Sequence, residues 1–245
     1  MMNEKMENFL KNKVALITGA SSGIGLEACI QLLEKGVRLY MVGRDLTSLK
    51  ARISECQFED DQLHFIQADL ENDSDIMNIV NEVDKENGID FLILSAGIIF
   101  LGPFETESID KLDKQYRVNL RAPYLITQKL LPKVKNNRGQ IVFINSTAGL
   151  STWENHSQYS ATKYGLRAIA DSLRVEVAPF GVKVISIFPG STDTPMQEQV
   201  QQLEGNPYNP NKFLTASEVV HSILCSISLP RNSIITEVTI RPNKY

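Results

Sequence analysis

Seven short apolar runs, separated by stretches with helical spacing, constrain this chain more than any other feature of it. The runs at 13–18, 37–42, 63–67, 88–94, 140–145, 182–187 and 234–240 are rich in β-branched, aliphatic and aromatic residues. The run at 140–145, Gln-Ile-Val-Phe-Ile-Asn, is β-branched and aromatic, as a buried strand is. Between the runs, apolar residues recur at helical spacing near 23–35, 46–56, 73–86, 108–135, 159–178 and 215–228. Alternation of this kind predicts an α/β fold with parallel pairing and helices covering both faces of the sheet. At 245 residues with 42% hydrophobic content, the chain can bury one large core without a second. One domain is therefore expected over 13–245, preceded by a polar leader at 1–12 that reads equally as frayed or as a short turn packed on the domain through Met6, Phe9 and Leu10.

The first run passes directly into Thr18-Gly19-Ala20-Ser21-Ser22-Gly23-Ile24-Gly25 and then into a helix. Glycines at 19, 23 and 25 let the backbone turn tightly and approach a pyrophosphate resting against the amides of the helix N-terminus. The spacing is G-x-x-x-G-x-G, so the turn alone is weak evidence, and its place after the first strand strengthens it. After the second strand an acidic residue would bond an adenine ribose 2′-hydroxyl and repel a 2′-phosphate. Gly43 and Arg44 stand there instead, and a guanidinium can fork onto a phosphate, which favours NADP(H). The alternative is a strand end displaced by two residues, with Asp45 on the ribose of NAD.

Ser146 follows the fifth strand, thirteen residues ahead of Tyr159-Ser160-Ala161-Thr162-Lys163. On a helix Tyr159 and Lys163 share a face, about one turn apart. A phenol with a pKa of about 10 is a poor proton carrier near neutrality, and a fixed ammonium one turn away would stabilise its phenolate. Ser146 would then hydrogen-bond the oxygen of a bound carbonyl while Tyr159 supplies the proton. Taken alone, the Tyr/Lys pair equally describes an ordinary helix surface.

Taken together and in this order, the glycine turn, Asn119, Ser146 and the Tyr159-to-Lys163 segment resemble the short-chain dehydrogenase/reductase family in its compact form, over about 13–242. The resemblance implies a Rossmann-type doubly wound parallel sheet and hydride transfer between a nicotinamide cofactor, NADP(H) on the reading of Gly43 and Arg44, and a small carbonyl or secondary alcohol of ketone, oxo acid or hydroxy acid type. It implies catalytic roles for Asn119, Ser146, Tyr159 and Lys163. Cofactor contacts follow at Gly19, Ser21, Ser22, Gly23, Ile24 and Gly25, then at Arg44, Asp69, Leu70, Ala96 and Gly97. Tyr159 and Lys163 join them, with Pro189, Gly190, Thr192 and Thr194 at the nicotinamide. Asp69 reads equally as the cap of its own turn. Three positions depart from the family pattern: Ser22 where a second basic residue is common, Ser95 for Asn ahead of Ala96-Gly97, and Thr192 for Val or Ile. The ending Thr239-Ile240-Arg241-Pro242 resembles relatives that oxidise hydroxy acids or β-hydroxy amino acids, or reduce comparable small carbonyls. The family also implies a homo-oligomer, tetramer or dimer, through the long helices.

Leu150 and Trp153 are expected to wall the substrate pocket, and 195–213, polar with two prolines from 197 onward, reads as a mobile lid bringing Met196 and Tyr208 over it. His156 reads as polar surface, since the Tyr/Lys pair already serves proton transfer. A hydrolase built on Ser146 and His156 is disfavoured because Ser146 lacks a G-x-S-x-G elbow. A non-catalytic, NADPH-sensing relative of the same fold is the remaining alternative. No metal site is expected. A net charge of −4 without a basic block gives no sign of nucleic acid or an anionic membrane as partner. The absence of a signal-like or spanning run, with Cys29, Cys56 and Cys225 read as unpaired thiols and Cys29 and Cys225 as buried, points to the cytoplasm.

Overall fold

In the computed structural model, which describes residues 9–56 and 58–243, the apolar runs form one seven-stranded sheet, all parallel, in the order β3-β2-β1-β4-β5-β6-β7. The strands are β1 Val14–Thr18, β2 Arg38–Gly43, β3 Leu63–Gln67, β4 Phe91–Leu94, β5 Gln140–Ile144, β6 Lys183–Pro189 and β7 Glu237–Ile240. The order reverses between β1 and β4, so the connections leave opposite ways there and open a crevice at the carboxyl edge.

Each strand divides its side chains between two cores, as a two-residue repeat requires. Ala15, Ile17, Leu39 and Met41 pack under α1 (Gly23–Leu33), α2 (Leu46–Ser54) and α8 (Ala216–Ile227). Val14, Leu16, Tyr40 and Val42 face the other way, toward α3 (Asp73–Val83), α5 (Ala122–Asn136) and α6 (Ser157–Val177). The remaining helices are α4 (Ile109–Tyr116) and α7 (Pro195–Leu203). Of the leader, residues 1–8 and with them Met6 lie outside the described residues; Leu10 is fully buried and Phe9 packs against the first core.

The helical stretch at 108–135 is not continuous. A π-helical turn, Arg117–Arg121, separates α4 from α5, and the Ala122 amide reaches back to the Arg117 carbonyl. The break lies just upstream of Pro123. Pro123 has no N–H to offer the carbonyl of Asn119, which would be its partner in an α-helix. Pro132, inside α5, leaves that helix unbroken. The stretch at 195–213 is also more ordered than its composition suggests, since its first half is the helix α7. Cys225, expected to be buried, is exposed, because it lies on the outer face of α8 while Val220, Ile223, Leu224 and Ile227 take the inner one. Among the described residues no helix is long and apolar enough to cross a membrane, and no cluster of His, Cys, Asp and Glu is placed to hold a metal.

Candidate active site

A cavity of about 1210 Å3 opens at the carboxyl edge of the sheet. That exceeds the roughly 300–1,000 Å3 of a pocket for one small ligand. One wall is the glycine turn. Gly19 has φ +70°, and a Cβ there would lie 2.8 Å from Cα of Ala96; a Cβ on Gly25 would overlap the Gly19 carbonyl. Only glycine allows the turn to close this tightly against β4 and the start of α1. At Ser22, which precedes α1, the side chain makes no capping hydrogen bond, and the first turn of the helix contains no acidic residue. The orphan amides of α1 therefore meet the cavity without an internal acceptor, the arrangement that suits a phosphate. The residues present fit a dinucleotide pyrophosphate.

Opposite this cradle stand the side chains that the sequence separates by up to 44 positions, brought together by β5, α6 and the π turn. Ser146 precedes a short 3-10 turn, Thr147–Gly149, and its hydroxyl accepts from the Ala148 amide at 3.1 Å. Tyr159 lies on the first turn of α6 and Lys163 on the second, both buried, with the Lys163 ammonium 5.7 Å from the Tyr159 ring centre. Lys163 Nζ donates to the Ile144 carbonyl at 3.1 Å. Asn119, in the π turn, accepts from the Ile98 amide at 2.8 Å and donates to the Ile98 carbonyl at 2.9 Å and to Thr162 Oγ1 at 3.2 Å. Thr162 in turn donates to the Tyr159 carbonyl at 2.8 Å. Asn119 thus ties α6 to the chain leaving β4, and its amide is wholly engaged in doing so.

The expected lowering of the Tyr159 pKa by Lys163 is not seen. Burial pushes the phenol up to about 12, with the Ser146 hydroxyl pulling the other way, and burial brings Lys163 down to about 8. Removing both groups from water outweighs an attraction across this separation, because each is penalised in its charged form. At neutral pH the phenol holds its proton.

Of the other residues singled out in the sequence, Ser22, Gly23, Ile24, Ala96, Gly97, Trp153, Pro189, Gly190, Thr192, Thr194 and Met196 line the cavity. Gly97 faces its floor: a Cβ there would lie 3.5 Å from Asn119 Oδ1 and 3.8 Å from Lys163 Nζ. The Thr194 hydroxyl caps α7, accepting from the Gln197 amide at 3.3 Å and donating to the Thr192 carbonyl at 3.1 Å. At Ser95, which stands where the family has Asn, the backbone is held with that of Ala96, both amides donating to Thr18 Oγ1 at 3.2 Å. His156 lines the cavity with Nδ1 2.7 Å from the Glu154 carbonyl.

Ser21, Arg44, Asp69 and Leu70 lie outside this cavity, around the crevice end beside β2 and β3. Arg44 is exposed. Asp69 caps its own turn, accepting from the Glu71 amide at 3.1 Å, and Leu70 is buried in the second core. Leu150 and Tyr208 are not cavity walls. Leu150 closes the 3-10 turn, and Tyr208 turns away to donate to Asp193 and pack on Phe213, ring centres 5.5 Å apart. Asp193 and Leu214 are joined by backbone, Asp193 donating to Leu214 at 2.7 Å and Leu214 donating to Ser191 at 3.0 Å. The segment between 193 and 214 is thereby strapped at its base.

Asn145 was missed in the sequence. It is buried, accepts from the Ser146 amide at 2.8 Å and donates to the Lys163 carbonyl at 3.1 Å, so one amide sets the end of β5 against α6. An amide beside Ser146 at a strand end was the available signal. Ile99, Val200 and Phe213 also line the cavity. Val200 lies four residues after Met196 in a stretch of Gln and Glu, a spacing that marks the inner face of α7.

A parallel sheet whose carboxyl edge holds a glycine cradle facing a buried phenol and ammonium defines the class of nucleotide-dependent oxidoreductases. The family model described as short chain dehydrogenase matches residues 13–205, and the chain belongs to that family. An uncharacterized oxidoreductase of Staphylococcus epidermidis is 32% identical over 236 residues, covering 95% of this chain and 98% of its own. Among solved structures, levodione reductase superposes with a TM-score of 0.84 at 26% identity, covering 94% of this chain and 96% of its own. A metagenomic short-chain oxidoreductase in complex with NADP gives a TM-score of 0.81 at 26% identity, covering 96% and 99%.

Proposed function

We propose that the protein reduces a small ketone or related carbonyl with NADPH, Tyr159 donating the proton. The convergence of Ser146, Tyr159 and Lys163 in one cavity with the open start of α1 carries this reading. Bound NADPH supplies the hydride. Ser146 orients the carbonyl oxygen. Tyr159, kept protonated by burial, is a loaded acid at neutral pH, which suits reduction. Lys163 holds the ribose hydroxyls of the cofactor and offsets the charge left when the phenol gives up its proton. Asn119 and Asn145 fix the spacing of α6 from the strand ends.

Three observations support NADP(H) over NAD. Gly43 offers no carboxylate, and Arg44 is exposed at the end of β2 with its backbone held by Gln67. Asp45, the alternative ribose ligand, is committed to the start of α2, accepting from the amides of Thr47 at 2.8 Å and Ser48 at 3.3 Å. The metagenomic relative is described with NADP. A homo-oligomer through the long helices belongs to the same reading, supported by the exposure of Tyr116 and Tyr124 on α4 and α5 and of Tyr164 and Val175 on α6.

The test is loss of coenzyme absorbance on mixing purified protein with NADPH or NADH and a panel of ketones, diketones and oxo acids, with hydroxy acids and NADP+ for reversal. Turnover with NADPH well above NADH is expected. Tight NADPH binding without turnover of any carbonyl would instead indicate a nucleotide-sensing protein.

A further inference from the structure

The cavity has two kinds of wall, and the division bears on what the site reduces. Around the Tyr159 ring the packed side chains are Ile99, Ala148 and Val200, exposed by only 7%, 2% and 8%, joined by Leu101 and Met196. They come from the chain after β4, the turn after β5 and the inner face of α7, so three separate elements converge to make this shell apolar. Trp153 adds a half-exposed aromatic face from the loop before α6.

The ionic liners, Glu154, Glu204, Lys212 and Arg241, are all exposed and so belong to the solvent side. Glu204 is held there by hydrogen bonds from Gln201 and Asn206. Among the described residues the one buried cation lining the cavity is Lys163, whose ammonium already donates to the Ile144 carbonyl.

Resting on the reductase reading above, we infer that the substrate is a neutral ketone with apolar substituents, and not an oxo acid whose carboxylate adjoins the carbonyl. A carbonyl placed for protonation by Tyr159 puts its neighbouring atoms against Ile99, Ala148, Met196 and Val200. An alkyl or cyclic group gains there by leaving water. A carboxylate one bond from the carbonyl loses its hydration in the same place, and of the polar liners Asn145, Ser146, Thr147, His156, Gln197 and Gln201 none is an ammonium or guanidinium to pair with it. Burial of an unpaired charge is far costlier than burial of a neutral group. The rim cations Lys212 and Arg241 serve a distant anionic group at most.

The experiment compares straight-chain methyl ketones with 2-oxo acids of equal carbon number, under NADPH. For the ketones kcat/KM rises about fourfold per added methylene until the wall is reached. Each ketone exceeds its matched oxo acid by on the order of 100-fold. Val200→Lys puts an ammonium into the apolar shell and narrows that ratio by about tenfold or more. A second measurement does not depend on that variant folding. Trp153 is the sole tryptophan and lines the cavity, so its emission in the wild-type protein with NADP+ bound reports occupancy. A secondary alcohol should change the emission at lower concentration than the hydroxy acid of equal length. Oxo acids turned over as well as their matched ketones, or hydroxy acids bound as tightly as alcohols, would overturn the inference and leave the reductase reading standing. Failure of every carbonyl in both series to consume NADPH would overturn both.

Discussion

The two edges of the sheet are built on opposite plans. At the amino edge, polar groups are spent on one another. The Glu86 carboxylate accepts from Tyr40 at 2.7 Å and Arg38 at 2.6 Å, Asp90 takes Lys13 at 2.9 Å and the Val14 amide at 3.0 Å, and Lys133 bonds the carbonyls of Asp84 and Glu86 at 2.7 Å each. At the carboxyl edge the start of α1 has no capping side chain, and the Tyr159 phenol sits in a cavity wall. Even among helices the contrast holds: α8, packed beside α1, begins with a complete capping box between Thr215 and Glu218. Groups satisfied internally stabilise the fold, whereas donors left facing a cavity are available to a ligand.

Substitutions at the two edges should therefore fail in different assays. The largest effect is expected for Tyr159→Phe, which lowers kcat by about 10²–10⁴-fold with NADPH affinity and thermal midpoint close to wild type. Wild-type turnover in that variant would break the contrast outright. Next, Arg44→Ala should weaken NADPH by about 10–100-fold through loss of charge-assisted bonds, measured by fluorescence titration, and leave NADH nearly unaffected. Equal losses for both coenzymes would remove the 2′-phosphate contact.

A smaller effect sharpens the comparison through pH. Lys163 titrates at about 8, so its ammonium is present below that pH and disappears as pH rises through it, while Tyr159, at about 12, stays protonated. Reductive kcat/KM should accordingly hold level at neutrality and fall severalfold above pH of about 8; a profile level to pH of about 10 would separate Lys163 from the reaction. The smallest change is expected from the amino edge. Glu86→Gln removes a charged acceptor from Arg38 and Tyr40 and should cost about 1–2 kcal/mol, discounted because Arg38 is 41% exposed. The thermal midpoint then drops by a few degrees with kcat unchanged, and a drop in kcat without loss of stability would contradict the division between edges.

What the sequence made legible follows the same physics. β1 and β5 lie inside the sheet and are buried throughout, so they are readable almost to the residue, as is the short edge strand β3. The Tyr159 and Lys163 pair is readable because a local helical spacing sets it. The π turn at Arg117–Arg121 is not readable, since the bonds of Asn119 to Ile98 and Thr162 come from segments distant in sequence. α7 is hidden by its outer face of Gln and Glu, with Met196 and Val200 alone betraying an inner side. Cys225 misleads because an apolar neighbourhood in sequence does not say which side of α8 a thiol takes. Asn145 escapes notice because its importance lies in bonding Ser146 and Lys163 at once.

The strap joining Ser191 and Asp193 to Leu214 makes the intervening chain a cassette with both attachment points clamped to the scaffold. Length and composition inside it can be exchanged while β6 and α8 keep their register. Grafting a different cassette between these points is thus a direct route to changing one wall of the cavity while leaving Ser146, Tyr159 and Lys163 in place.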